Sequence, residues 1–201
     1  MNPYLSKEYN SKGRWISFWY QIFEVLKKNP KNVLEIGVGS VIVSDYLKKM
    51  GCDVKTLDTD KRLSPDYVGN VLNLPFKKNS FDVVLCAEVL EHLPFSQFEL
   101  GLKNLRKVTK KYVILTLPEY SLFRIHFDIK LIPKIPRIQK ILKIPFPKKH
   151  IYNKVHYWEI GKRGYNLRKI KSMIENNGFQ IEKTYYPFEN PRHRFFILRK
   201  K

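Results

Sequence analysis

An α/β fold with a mostly parallel sheet is predicted by three observations. Short apolar runs alternate with amphipathic stretches along most of the chain. The run at 81–86 is apolar at nearly every position, as in a strand covered on both faces. A glycine turn carries an early strand into a helix.

The elements follow in order. Trp15, Phe18, Ile22 and Leu26 recur at helical spacing and predict a helix over about 13–28, ended by Asn29-Pro30. Val33-Leu34-Glu35-Ile36 reads as a strand. Val43, Tyr46, Leu47 and Met50 form an i, i+3, i+4, i+7 stripe on a helix over 41–50, stopped by Gly51. Strands are expected at 52–57 and 81–86, with a short one at Tyr67-Val68. Ser96-Gln97-Phe98-Glu99 has the form of a capping box, opening a helix on Phe98, Leu102 and Leu105. A strand follows at 112–117. Asn166 caps a helix carrying Leu167, Ile170 and Ile174, closed by Gly178. Strands at 179–186 and 194–199 are joined by a short turn and should form an antiparallel pair at the sheet edge.

A chain of 201 residues that is 43% hydrophobic can build one real core, which excludes global disorder and a disulfide scaffold. It divides into an N-terminal helical segment (1–30), a first half of the sheet (31–118), a basic insert (119–155) and a C-terminal helix with edge strands (156–201), all within one domain. The net charge is +20, of which residues 119–201 hold +14, so the second part of the chain is where an anion should be met. Cys52 and Cys86 make no CxxC pair and read as reduced thiols, which favours a cytoplasmic location. The most apolar runs, such as 83–87 and 113–117, fall far below the roughly 18 residues of a membrane span. The aromatic stretch 15–23 lacks a cleavage site and holds Gln21, so it does not read as a signal peptide.

The richest signal is Val33-Leu34-Glu35-Ile36-Gly37-Val38-Gly39-Ser40 at a strand-to-helix junction. Glycines at Gly37 and Gly39 let the chain turn sharply and let a ligand lie against the main chain, next to free N–H groups at the helix start. Asp58 stands at the end of the next strand, where a carboxylate can accept both hydroxyls of a ribose. An ordinary tight turn beside a solvated Asp58 is the plainer alternative. A dinucleotide fingerprint wants a third glycine where Ile42 stands, and Glu35 would repel a pyrophosphate. A cationic nucleoside without phosphates suits this acid better, which points to S-adenosylmethionine rather than NAD.

These residues resemble the class I SAM-dependent methyltransferases, specifically the methyltransferase type 11 group. The resemblance rests on Leu34-Glu35-Ile36-Gly37-Val38-Gly39, Leu57-Asp58-Thr59-Asp60, Gly69-Asn70-Val71-Leu72-Asn73-Leu74-Pro75-Phe76, Ser80-Phe81-Asp82-Val83-Val84 and Glu88-Val89-Leu90-Glu91-His92-Leu93. It implies a Rossmann-like, seven-stranded, mostly parallel sheet with an antiparallel edge pair and a cap insert. It implies that the Gly37–Gly39 turn wraps the methionine part of the cofactor, with Glu35 holding its ammonium directly or through water. Asp58 would bind the ribose, Asn70 and Val71 would reach the adenine edge, and Glu88 would lie near the sulfonium or the acceptor. Asn70 stands where the group usually has Asp, and Val41 where it often has Gly.

Methyl transfer from a sulfonium needs alignment above all, and a base only if the acceptor must lose a proton. His92 and His156 are the candidate catalytic residues, each weighed against a plain packing role. No metal site is expected: His126, His150, His156 and His193 fit no common ligand spacing. In the insert, Ile129, Ile132, Ile135, Ile138, Ile141 and Ile144 recur every three residues among Lys130, Lys134, Arg137, Lys140 and Lys143. Prolines at 133, 136, 145 and 147 make 130–149 linker-like and exclude one long helix. The favoured expectation is a cap that packs its isoleucines on the core and solvates its lysines. A lid resting on an anionic membrane, or gripping a lipid-linked or phosphorylated acceptor, is the alternative. RNA is a further anionic partner, with Tyr120, Phe123, Phe127, Tyr152, Tyr157 and Trp158 able to stack bases, although no known RNA-binding module is present. The expected function is therefore SAM-dependent methyl transfer to O, N or C of an anionic small-molecule or lipid-linked acceptor. An RNA methyltransferase, a non-catalytic SAM-sensing or RNA-binding module and an NAD-dependent oxidoreductase are the rivals.

Overall fold

A computed structural model describes residue 4 and residues 6–7, 9–130, 136–144, 147–152 and 155–201. In chain order the elements are α1 (Lys12–Leu26), β1 (Asn32–Ile36), α2 (Ile42–Lys49), β2 (Asp53–Asp58), β3 (Tyr67–Val68), β4 (Phe81–Ala87), α3 (Phe98–Val108), β5 (Thr109–Pro118), β6 (Phe123–Ile129), β7 (Ile138–Ile144), α4 (Leu167–Asn176), β8 (Phe179–Tyr185) and β9 (His193–Lys200). Seven strands form one sheet in the order β3-β2-β1-β4-β5-β9-β8, and β6 and β7 form a separate two-stranded sheet. β1 pairs in parallel with β2 and β4, β2 with β3, and β4 with β5. β9 runs antiparallel between β5 and β8. The parallel sheet and the antiparallel edge pair are those the sequence predicts.

The sheet is covered on both faces. Phe18 and Val25 of α1 and Val43 and Leu47 of α2 pack against Val33, Val54, Val83 and Ile114 on one side. Phe98, Leu102 and Leu105 of α3 and Ile170 and Ile174 of α4 pack against Leu34, Val84, Leu115 and Phe196 on the other. Strands buried twice over explain the unbroken apolar run of β4, where Val83, Val84, Leu85 and Cys86 have no exposed surface. Cys52 and Cys86 are both free thiols.

Local chemistry differs from expectation in three places. The capping box at Ser96 does not form: a 3₁₀ turn over Phe95–Gln97 precedes α3, so the helix boundary falls at Gln97 and no side chain caps it. By contrast Asn166 caps α4 as expected, its Oδ1 accepting from Lys169 N at 2.8 Å. On α1 the buried stripe is Ser17, Phe18, Gln21, Glu24 and Val25, while Trp15 is exposed and Trp19 stacks on Phe23 at the surface. The basic insert is the third difference. Among the described residues its strands form the β6–β7 hairpin, whose isoleucines 129, 138 and 144 face solvent instead of packing on the core. Ile132, Lys134 and Ile135 lie outside the described residues.

Because β1 lies between β2 and β4, the strand order reverses at the β1–β4 border. In open α/β sheets such a switch point leaves a crevice beyond the carboxyl ends of the strands, where ligands bind. The glycine turn after β1 and Glu88 after β4 both open onto it.

Candidate active site

A cavity of about 970 Å³ occupies that crevice. Its volume falls at the upper end of the roughly 300–1,000 Å³ usual for small-molecule sites. Ile36, Gly37, Gly39, Asp58, Asn70 and Val71 line one part of it. Glu88, His92, Glu119, His156 and His193 line another. Eight of the nine residues expected at the site therefore line one cavity, and Glu35 is the exception.

Gly37 and Gly39 have φ of +82° and +49°. A methyl group on Gly37 would also come within 2.5 Å of Val89 Cγ2, so this turn requires glycine twice over. Asp58 fastens the turn from across the sheet. Its Oδ2 accepts from Val38 N and its Oδ1 from Asp60 N, both at 2.9 Å. A carboxylate offers about four lone pairs, so each oxygen keeps capacity for one further donor. Tyr4 and Tyr9, from the segment before α1, close over the turn, their rings packed edge to face at 4.9 Å. Nothing in the sequence alone marked these two tyrosines, because their place depends on how the N-terminal segment crosses the sheet.

Glu35 lies behind the turn. It lines a separate hollow of about 30 Å³ together with Gly37, Gly39, Ser40, Arg14 and Glu88. That space suffices for about one water. Burial pushes the Glu35 carboxyl up to about 8, partly opposed by hydrogen bonding at Ser44, and its Oε2 has no partner. A buried carboxyl with one unpartnered oxygen, on a hollow of about one water's size beside the glycine turn, fits an ammonium group reached through a water.

The opposite wall carries the imidazoles. Trp158 anchors it: the side chain is fully buried, its Nε1 donates to Leu93 O at 3.2 Å, and its ring meets Phe95 and Phe98 at 5.0 Å. It is therefore no stacking platform for a base. Tyr157 N donates to Glu91 O at 2.8 Å and ties the segment to the turn after β4. His156 is thereby set beside His92, with ring centroids 5.2 Å apart. His92 Nδ1 sits 2.9 Å from Val155 O. A carbonyl only accepts, so the proton is on Nδ1 and the lone pair on Nε2. Burial holds the His92 pKa below its ordinary value, so the ring is neutral at physiological pH. The His156 Nδ1 pairs with Glu159 Oε1 at 3.0 Å, and that hydrogen bond lowers the Glu159 pKa.

Two further groups were not legible as site residues. His193, at the start of β9, bonds Ser17 Oγ through Nδ1 at 2.9 Å and approaches Glu88 Oε2 with Nε2 at 3.5 Å. Glu91 is fully buried beside His92, with neither oxygen hydrogen-bonded, and burial raises its pKa well above the carboxylate range. Ligand atoms of Glu91, His92 and His156 come within 4.8 Å of one another, a convergence that histidine spacing along the chain does not reveal.

Residues 34–117 match the family model described as a methyltransferase domain. The chain is 30% identical to demethylmenaquinone methyltransferase of Corynebacterium efficiens over 128 residues, and 36% identical to an uncharacterised protein of Methanocaldococcus jannaschii over 67. These alignments cover 55% and 32% of this chain and 54% and 30% of those relatives, so it spans about half of their length or less. Among solved structures, a Pyrococcus horikoshii protein superposes with a TM-score of 0.65 at 14% identity, covering 100% of this chain and 94% of that one. Magnesium protoporphyrin IX methyltransferase of Synechocystis, with bound S-adenosylhomocysteine, gives 0.62 at 15% identity, covering 94% and 84%. The chain has the class I methyltransferase fold.

Within this methyltransferase fold, two non-glycine residues hold strained backbone at the site. Val41, the N-cap of α2, has φ of +59°, and Glu88 has φ of +54°. A β-branched residue in the left-handed region is costly, which explains why a glycine would be the easier choice at position 41. Glu88 is held in place by Thr116 Oγ1, which donates to its Oε1 at 2.9 Å, and by its main-chain N–H, which donates to Thr116 O. Strain maintained by such bonds at the rim of a cavity is common where a side chain must be aimed.

Proposed function

We propose that this protein is a SAM-dependent methyltransferase acting on an anionic acceptor. The observation that carries the reading is one continuous wall. It joins the Gly37–Gly39 main chain, the fastened Asp58 carboxylate and the Asn70–Val71 edge, with the buried Glu35 and its unpartnered Oε2 behind it. That wall offers a ribose acceptor and, behind it, a carboxyl that an arriving ammonium would ionise. When bound, the cofactor supplies a methyl group on a good leaving group. The chain then has to hold the acceptor in line and shield it from water. Where the acceptor must lose a proton, the His92 Nε2 lone pair is the group placed to take it. Isothermal titration tests the assignment: SAM and S-adenosylhomocysteine should bind and NAD should not. Tight NAD binding with silent SAM would reverse it.

The anionic acceptor is supported by charge. Arg14, Arg124, Lys162 and Arg192 line the cavity, and among the described residues none of them forms an ion pair with a carboxylate. Each of these cations keeps donors to offer a phosphate or carboxylate, on a cavity wall that also carries Asp58, Glu88, Glu119 and Glu159. With isotopically labelled SAM and a metabolite extract, the labelled product should bind an anion-exchange resin. Replacing Arg192 by Ala should lower labelling at limiting acceptor by roughly tenfold, with S-adenosylhomocysteine affinity unchanged. A neutral labelled product would remove the anionic acceptor and leave the cofactor assignment standing.

A further inference from the structure

The β6–β7 hairpin is built inside out. Its register sets Phe123 opposite Ile144, Ile125 opposite Leu142, Phe127 opposite Lys140 and Ile129 opposite Ile138. Residues directly opposite share a face, and residues two apart along a strand share it too. One face of the ribbon is therefore seven apolar side chains and one lysine, and all eight are exposed, from 42% at Ile144 to 59% at Phe123 among the apolar ones. The other face carries the polar groups and leans on the domain. Lys143 pairs with Glu119, donates to Pro191 O at 2.9 Å and lies 3.6 Å from the centre of the Tyr186 ring. Glu119 in turn receives Arg194 at 3.1 Å, and the His126 ring meets Phe188 at 5.2 Å. A hairpin resting on a domain ordinarily buries its apolar face and wets its polar one. Here the charges bind it to the domain and the apolar face is presented outward.

We infer that this outward face is a docking surface for an anionic lipid bilayer. The apolar patch alone fits any greasy partner; the charges around it decide. Lys130, Arg137, Lys140, Lys148 and Lys149 are all exposed, and Asp128, held by Arg137, is the one acidic residue of the two strands. A second copy of the chain would set these cations against each other, at a cost. An anionic headgroup layer matches them, while the alkyl and aromatic side chains reach the acyl boundary. The hairpin also begins at the cavity. Tyr120 and Ser121, just before β6, and Arg124 within it line the cavity wall, so a docked hairpin holds the cavity mouth at headgroup level. The docking itself stands whether or not the cavity transfers methyl groups.

Co-sedimentation with vesicles tests it, using the full chain. The protein should pellet with phosphatidylcholine vesicles that contain phosphatidylglycerol and stay in solution with phosphatidylcholine alone. High salt should weaken the binding. The double variant Ile125→Glu, Phe127→Glu alters two exposed side chains and should bind vesicles roughly tenfold more weakly, or worse, with unchanged thermal unfolding. A separate Lys140→Glu variant should bind the anionic vesicles more weakly, with unchanged thermal unfolding. The proposal is overturned if the wild-type chain ignores anionic vesicles or if the double variant binds them equally well. It is also overturned if light scattering shows a dimer that the double variant abolishes, which would make the face a self-association surface. Capture of RNA in place of vesicles, lost in the same variants, would overturn it as well.

Discussion

Asp58→Ala should weaken binding of S-adenosylhomocysteine by about 100-fold or more and should also make the protein less stable by about 1–3 kcal/mol. The two effects come from one carboxylate with two tasks. Facing the ligand, each oxygen has capacity for one ribose hydroxyl, and a hydrogen bond to a charged group contributes about 1.5–3 kcal/mol. Facing the protein, the same oxygens accept from Val38 N and Asp60 N. Alanine leaves those donors at the edge of a glycine turn with no partner, so the turn that forms the ligand wall is loosened as well. The bond to Val38 N makes Asp58 part of the turn as well as of the cavity wall. Asp58→Asn separates the tasks: it retains one acceptor oxygen and the volume, so it should recover most of the stability and less of the affinity. Calorimetric titration and urea unfolding of both variants read this out. Full affinity in Asp58→Ala would mean that the ribose lies elsewhere.

The sheet, the glycine turn and Asp58 were legible because each is local or periodic. An apolar run, a Gly-x-Gly pair and a strand-end acid are visible within a few residues, and βαβ chirality then fixes where they meet. Residues brought together over long separations were not legible. Arg14, Tyr9, Arg192 and His193 reach the cavity from opposite ends of the chain, and only the passage of β9 between β5 and β8 places the last two. The insert is ambiguous for a different reason. Its isoleucines recur every three residues over 129–144 and obscure the strict alternation of Phe123, Ile125, Phe127 and Ile129 at its start. Period two was the structural signal, and β6 follows it. Even with the right period, alternation gives two faces and leaves open which one is outward. That was decided by Glu119, Tyr186 and Phe188, none of which belongs to the hairpin.

Glu35→Gln should move stability and affinity in opposite directions. In the folded protein, burial raises the Glu35 carboxyl from 4.5 to about 8. Below the lower value both the folded and unfolded chains hold the proton, and the residue costs nothing. As pH rises from there, the unfolded chain releases its proton and the folded one retains it. Stability is therefore lost progressively until the pH passes the folded value. By pH 7 the loss is about 3 kcal/mol, at 1.36 kcal/mol per unit. Glutamine does not titrate. The variant should match the wild type near pH 4 and exceed it by about that amount at pH 7, as urea unfolding across this range would show.

A bound cation would offset the cost of ionising this carboxyl. Glu35 Oε2 has no partner in the protein, and the small hollow in front of it opens beside the glycine turn. A cation arriving there favours the ionised form, so binding a ligand with an ammonium group near pH 7 should release a proton. Calorimetry in buffers of different ionisation enthalpy would measure that release directly. Glu35→Gln should abolish it and should bind S-adenosylhomocysteine roughly tenfold or more weakly, while unfolding later than the wild type. A variant that gains stability and keeps both affinity and proton release would show that the ammonium is held by another group. A variant that gains no stability would show that Glu35 is already ionised in the free protein, with a counter-charge that the fold itself provides.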